Sequence, residues 1–386
     1  MVFALKKLDS FFTSVFYDRR IFMEKMTSIE RISNILRRKP VDRVGLNESF
    51  WGETIQRWRN EGYLGPNESP DDHFGFDYRQ GGWPNMAAEL DYTEKVLEET
   101  DEWRLVRNAN GAHLKWWKHK AGTPEHVFFE VQDRKGWEEQ IRPKLTDDST
   151  VRKRVNVEGY ANALKWSHER DLFFFINGVN VFECIHPVCG HEYMLIGMAL
   201  DPDWVRDMCN VYADLIIKCY EILISEGGKP DGVFFYEDMG FKGKPFMSPK
   251  MYKEIVWPAH KKTFDFAHSY DLPVVVHSCG YVEPLVPGLI EAGMDCLQAM
   301  EVKAGMDLIK LKKDYGDKIA FCGGMDVRIL ETNDINKVEE ELQKKLPIAM
   351  DGSGYILYSD HSIPNTVDYK TYKYFVDRGL EIGTYK

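Results

Sequence analysis

The sequence lacks long apolar runs, long basic runs and a cysteine spacing typical of disulfide-rich domains. No segment approaches the roughly 18 consecutive apolar residues of a membrane-spanning helix, and charges interrupt the apolar pieces of residues 1–25, so no signal-peptide core is predicted. No basic run is longer than RRK at 37–39, and the formal net charge of -11 argues against nucleic acid and anionic membranes as partners. The seven cysteines, an odd number in a long chain, indicate a reducing, cytoplasmic setting where thiols stay free or bind metal.

The chain has 386 residues, of which 44% are hydrophobic, enough to fill a large core. We expect residues 1–25 to form a loosely ordered extension and residues 26–386 to form a single domain. The domain should begin with a helix, because Thr27 and Glu30 have the spacing of a capping box and Pro40 follows as a stop signal.

Apolar runs that indicate strands alternate with helical patterns from about residue 170 onward. These runs cover 172–178, 232–238, 273–280, 295–301, 319–324 and 354–361. Continuous apolar strands between helices are typical of a parallel sheet covered on its outer face. Together with earlier strand candidates near residues 42–49, they predict a closed (β/α)8 barrel. A doubly wound sheet is the alternative, although no Gly-rich dinucleotide loop opens a helix.

Residues 48–150 interrupt this alternation. They contain seven of the ten tryptophans and a hairpin pattern at 103–119 whose turn reads NANG. We interpret this region as an elaboration over the barrel mouth and not as an independent domain.

His277 and Cys279 are two residues apart at the end of an apolar strand. Side chains at i and i+2 of a strand point to the same face, and barrel active sites form at the carboxyl ends of the strands. Other strand ends supply further polar side chains, namely Glu237, Asp238, Glu301, Cys322 and His361. Any one of these residues alone has an ordinary structural explanation, such as a buried Cys packing as a small apolar group.

Taken together, His277, Cys279 and Cys322 predict a zinc site. Two thiolates and an imidazole favour Zn²⁺ over Mg²⁺ or Ca²⁺, and three protein ligands leave a position open for substrate. Zinc of this kind keeps a bound thiol deprotonated and nucleophilic. A second metal-like group, formed by Glu183, His186, Cys189, His191 and Glu192, has a spacing that matches no site we can justify, and lining of the barrel mouth is the favoured interpretation.

Five segments resemble the uroporphyrinogen decarboxylase superfamily, specifically its branch of zinc-dependent, corrinoid-linked methyltransferases of the methylcobalamin:coenzyme M type. They are 27–44, 236–258, 274–298, 314–326 and 358–367. The resemblance extends from about residue 26 to the C-terminus and is weak between 48 and 150. In that branch a His-x-Cys pair and a distant Cys bind zinc, which implies the same three ligands here, on a (β/α)8 barrel.

The stretch 45–58 lacks the arginine-rich motif with which true decarboxylases hold substrate carboxylates. Tetrapyrrole decarboxylation is therefore disfavoured, although His361 resembles a late histidine of those enzymes. The sequence shows no corrinoid-binding module, so a methylated corrinoid would arrive on a separate protein.

The resemblance implies a methyltransferase that exchanges a methyl group between a corrinoid (methylcobalamin) and a thiol, tetrahydrofolate or O-methyl substrate. We expect Glu237 or Glu183 to be a displaceable fourth zinc ligand, and Glu237, Asp238 and His361 to be candidate catalytic residues that position substrate or move protons. The alternatives are a metal-independent decarboxylase or lyase of an aromatic or tetrapyrrole acid, and a non-catalytic corrinoid or tetrapyrrole binder.

Overall fold

The computed structural model describes residues 25–119 and 124–385, and its central element is a sheet of eight parallel strands. The strands are β1 Gly45–Leu46, β2 Tyr78–Gly81, β3 Phe173–Val179, β4 Gly232–Tyr236, β5 Val274–Ser278, β6 Cys296–Ala299, β7 Ala320–Gly323 and β8 Tyr355–Leu357. From β2 to β8 each strand pairs with the next, and β8 pairs with β1. The Asp77 N–H donates to the Leu46 carbonyl at 2.9 Å, which brings the start of β2 to the end of β1. The fold is the predicted (β/α)8 barrel.

Alternate side chains of the strands fill the barrel interior. This interior cluster includes Tyr78, Phe173, Phe175, Phe234, Val275, Cys296, Ala320, Cys322, Ile356 and Tyr358. Because every second residue of a strand points inward, Val275 in the cluster places His277 and Cys279 on the same inward face nearer the carboxyl end of β5.

Helices cover the outer face of the barrel. The α-helices are Ser28–Leu36, Gly52–Asn60, Pro70–His73, Arg134–Gly136, Arg142–Leu145, Val157–His168, His186–Leu200, Pro202–Gly227, Pro249–Met251, Trp257–Ser269, Val286–Ala292, Leu308–Tyr315, Val327–Glu331, Ile335–Ala349 and Tyr369–Ile382. Short π-helical turns occur at Trp137–Ile141 and Tyr252–Val256, and 3-10 turns at Asp148–Arg154, Glu283–Leu285 and Val302–Ala304. Phe235 of β4 shows the packing, because its ring stacks on Tyr220 and Phe264 of two covering helices with centroids 5.9 Å apart in each case. Within the described residues, no helix is long and apolar enough to cross a membrane.

The N-terminal part of the chain and the region 48–150 contain elements besides the barrel strands and their covering helices. The first helix carries the expected capping box between Thr27 and Glu30. The extension expected over residues 1–25 lies outside the described residues, apart from residue 25. Region 48–150 contains barrel strand β2, which was not predicted from the sequence, and a separate four-stranded antiparallel sheet. The strands of that sheet are Lys95–Glu99, Trp103–Arg107, Ala112–Trp117 and Glu125–Phe129, and the middle two form the hairpin expected from the sequence.

Candidate metal centre

Three potential ligands meet at the carboxyl ends of β4 and β5. Donor atoms of Asp238, His277 and Cys279 all lie within 4.8 Å of one another. The Nε2 atom of His277 is 3.3 Å from the Cys279 Sγ and 3.4 Å from the Asp238 Oδ1. Among the residues that the structure describes, these three form the one group of at least three His, Cys, Asp or Glu side chains close enough to hold one ion.

Backbone contacts between the two loops hold this group together. The Cys279 N–H donates to Oδ1 of Asp238 at 2.7 Å. Just beyond it, a Cβ atom added to Gly280 would lie 2.3 Å from the carbonyl carbon of Gly240, so the two loops can cross only where both residues lack side chains. Gly280 also has a φ of 79°, a value that favours glycine. The Gly280 N–H donates to Oε2 of Glu301 at 2.7 Å, which fixes the turn from a third strand end.

Gln298 of β6 sets the orientation of the imidazole. Its Oε1 contacts Nδ1 of His277, so that Nδ1 carries the proton and Nε2 faces Cys279 and Asp238. An imidazole nitrogen, a thiol and a carboxylate are ligand types that zinc accepts. Burial, followed by the nearby charge of Asp238, raises the pKa of the Cys279 thiol. A bound divalent cation reverses this effect by stabilising the thiolate.

Cys322 is not brought into this group. It lies on β7 and is in register with Gln298 of β6, which in turn is in register with His277. Two strand spacings, about 10 Å between backbones, therefore separate Cys322 from His277. Its thiol is buried in the barrel interior beside Tyr78, and burial raises its pKa. The expected ligand set of His277, Cys279 and Cys322 thus differs from the set that the structure gathers, in which Asp238 is the third member.

The two glutamates expected as a fourth ligand have other partners. Glu237 points to the outer side of β4, where it is fully buried. Its carboxylate accepts hydrogen bonds from the N–H groups of Phe182 at 2.8 Å and Glu183 at 3.0 Å, and it contacts Nε2 of His260 at 2.5 Å. Glu183 contacts Nε2 of His186 at 2.7 Å, and burial raises its pKa. Glu237 therefore joins β4 to the segment after β3 and does not face His277.

A cavity of about 530 Å³ opens beside the candidate metal centre, and His277, Cys279 and the predicted His361 all line it. Other residues on its wall were not predicted from the sequence, among them Glu48 and Gln298. Burial raises the pKa of Glu48 to about 8, although the N–H groups of Ser359 and Ser49 donate to its carboxylate. Glu48 follows β1 by two residues, so the same strand-end rule that selected His277 could have selected it.

Residues 185–381 match the family model for uroporphyrinogen decarboxylase (URO-D), which is just over half of the chain. The chain belongs to the uroporphyrinogen decarboxylase family. The matched part of this family member includes β4 to β8, and therefore Asp238, His277, Cys279 and His361, whereas Glu48 lies before it.

One solved structure confirms the fold of this uroporphyrinogen decarboxylase family member. A methyltransferase from Methanosarcina mazei is 16% identical, with a TM-score of 0.64, and the alignment covers 92% of this chain and 99% of that chain. A 3-keto-D-glucoside 4-epimerase from E. coli is 13% identical, with a TM-score of 0.35, and the alignment covers 67% of this chain and 96% of that chain. No curated protein matches the sequence.

Proposed function

We propose that this chain is a zinc-dependent methyltransferase that moves a methyl group between a corrinoid, carried by a separate protein in the cytoplasm, and a small substrate. The observation that carries the proposal is the convergence of Asp238, His277 and Cys279 beside an open cavity at the carboxyl end of the barrel. The Methanosarcina mazei methyltransferase, which shares the fold over nearly its whole length, supports the same class of reaction.

In this proposal His277 and Cys279 are the core of the zinc site. The family resemblance supplies Cys322 as the remaining protein ligand, whereas the geometry supplies Asp238. Zinc at this site would act as a Lewis acid toward a thiol or a methyl donor. Either set of three ligands leaves one position open to the cavity.

The surrounding residues position the ligands and the substrate. Gln298 keeps the proton of His277 on Nδ1, and Glu301 holds the turn that carries Cys279. His361 and Glu48 line the cavity and are the groups that can hold or move a proton near the substrate. The buried Glu237 joins the end of β4 to the segment after β3.

The proposal is tested by metal content and by demethylation of methylcobalamin under anaerobic conditions. Zinc-replete protein should change the visible spectrum of methylcobalamin in the presence of a suitable methyl acceptor, and His277→Ala should abolish the change. His119→Ala, at an exposed histidine beyond the hairpin, is the matched control and should behave as wild type. Release of carbon dioxide from an aromatic or tetrapyrrole acid by zinc-free protein, with no methyl transfer across the panel of acceptors and donors, would instead support a decarboxylase.

A further inference from the structure

The cavity beside the candidate metal centre has aromatic walls. Tyr236 stands next to the centre, with its ring centroid 5.1 Å from that of His277, and it packs against Phe234 at 5.1 Å. Trp83, which is 52% exposed, packs against Tyr236 with ring centroids 5.2 Å apart. Trp51, which is 43% exposed, also lines the cavity, and its ring centroid lies 6.1 Å from that of His361. A planar ring that enters the cavity is therefore bounded by aromatic faces up to the imidazole of His277.

The one lysine or arginine among the described residues that line this cavity is Arg79, and its charge is already paired. Its guanidinium binds Asp72 at 2.7 Å, lies 3.7 Å from Asp71, and sits over the ring of Trp166 at 5.7 Å. Among the described residues of the cavity wall, therefore, no Lys or Arg is free to pair with a carboxylate, sulfonate or phosphate of a ligand.

The carboxyl groups of the wall are also committed. Oδ1 and Oδ2 of Asp360 accept hydrogen bonds from the N–H groups of Val327 at 2.8 Å and Val302 at 2.7 Å. Glu48 accepts from Ser49 at 3.0 Å and from Ser359 at 2.9 Å, as described above. The third carboxyl group of the wall, that of Asp71, lies 3.7 Å from the guanidinium of Arg79, so none of the three is placed as the counter-ion of a cationic ligand.

These contacts discriminate between classes of substrate. The sulfonate tail of a thiol or the glutamate tail of a folate, which would lie away from the metal ligands, would lose its hydration and find no unpaired Lys or Arg on the described wall, which is a large cost. An uncharged aromatic ring loses little hydration and gains favourable contacts with each aromatic neighbour beyond its buried area.

We infer that the cavity binds an uncharged, single-ring aromatic methyl ether as the methyl donor, with its methoxy group directed toward His277. The inference rests on the proposed methyltransferase function and adds the substrate class and the direction of transfer. In the reaction the O–CH₃ bond of the ether breaks and a cobalt–carbon bond forms on a Co(I) corrinoid supplied by the partner. Cobalt provides both electrons of the new bond, the electron pair of the broken bond stays on the phenolate oxygen, and that oxygen takes up one proton from solvent.

The test is calorimetric titration of the full zinc-replete chain without corrinoid, so that binding is measured apart from turnover. The probes are 2-methoxyphenol, 4-hydroxy-3-methoxybenzoate, 2-mercaptoethanesulfonate and tetramethylammonium. We expect 2-methoxyphenol to bind at least about tenfold more tightly than the benzoate, because the carboxylate finds no partner. Equal or tighter binding of either anion or of tetramethylammonium, or no binding of 2-methoxyphenol, would overturn the inference.

Two variants sharpen this test. Trp51→Ala should weaken 2-methoxyphenol about three- to tenfold, whereas Trp116→Ala, an exposed tryptophan of the four-stranded sheet, should not change the affinity. Ser362→Lys places a cation on the cavity wall and should raise the affinity for the benzoate relative to 2-methoxyphenol. An unchanged preference in Ser362→Lys would contradict the charge argument.

The outcomes also separate this inference from the proposed function. Binding of 2-methoxyphenol without methyl transfer to a Co(I) corrinoid would overturn the methyltransferase proposal and keep the ligand class. Methyl transfer to or from an anionic thiol alone, with no binding of 2-methoxyphenol, would keep the methyltransferase and overturn the ligand class.

Discussion

The backbone N–H of Cys279 donates a hydrogen bond to the carboxylate of Asp238 at 2.7 Å. This bond joins the loops after two neighbouring barrel strands, and it places the carboxylate 3.4 Å from Nε2 of His277. The candidate centre is therefore held together by backbone contacts of the fold, as a site that must select a metal geometry requires.

The first prediction concerns the ligand set. Purified protein should hold about one zinc per chain, and His277→Ala and Cys279→Ser should lower the affinity more than the about 10- to 100-fold typical of losing a supporting residue. The zinc affinities of Asp238→Asn and Cys322→Ser should be measured side by side against a competing chelator. The third ligand is the residue whose replacement lowers the zinc affinity more. Cys209→Ala, at a buried cysteine of a covering helix, is the control. Full zinc content in His277→Ala would exclude this site altogether.

The second prediction concerns the residue behind the imidazole. Gln298→Leu removes the oxygen that contacts Nδ1 of His277 and keeps most of the side-chain volume. We expect a zinc affinity about 10- to 100-fold lower, with little change in the melting temperature, because the ring loses its fixed orientation. Gln298→Glu restores an acceptor and should recover most of the affinity. If both variants bind zinc as wild type does, Gln298 has no role in orienting the ligand.

The barrel and the pair His277 and Cys279 could be predicted because each depends on local pattern. Long apolar strands alternate with helices from β3 onward, and residues two apart on a strand share a face. β2 was missed because it is short and reads YRQG, with no apolar run. Strand alternation from Phe234 and Tyr236 could have selected Asp238 over Glu237, since it puts Asp238 on the inward face. The position of Cys322 depends on how far apart strands lie around the barrel, which sequence spacing does not give.

The third prediction separates structural and metal-binding roles of the acidic pair after β4. Glu237→Gln should lower the free energy of unfolding by about 1–3 kcal/mol, because it replaces a buried carboxylate that accepts two backbone N–H groups and contacts His260. The zinc content of Glu237→Gln should stay at the wild-type value. Asp238→Asn should instead lower the zinc content and leave the free energy of unfolding close to that of wild type. Chemical denaturation and metal analysis of both variants measure the two effects. Loss of zinc from a folded Glu237→Gln protein would return this residue to the ligand set.

The fourth prediction concerns pH. Burial raises the pKa of Glu48 to about 8, from an ordinary value of 4.5, so between these values the folded protein holds a proton that the unfolded chain has released. The contribution of Glu48 to stability should therefore fall as pH rises from about 4.5 and level off above about 8, a change of up to a few kcal/mol. Glu48→Gln keeps the size of the neutral acid and removes its titration. Relative to wild type, this variant should consequently be more stable at pH 8.5 than at pH 5, as measured by denaturation at the two pH values. The same difference at both pH values would show that Glu48 is ionised in the folded protein.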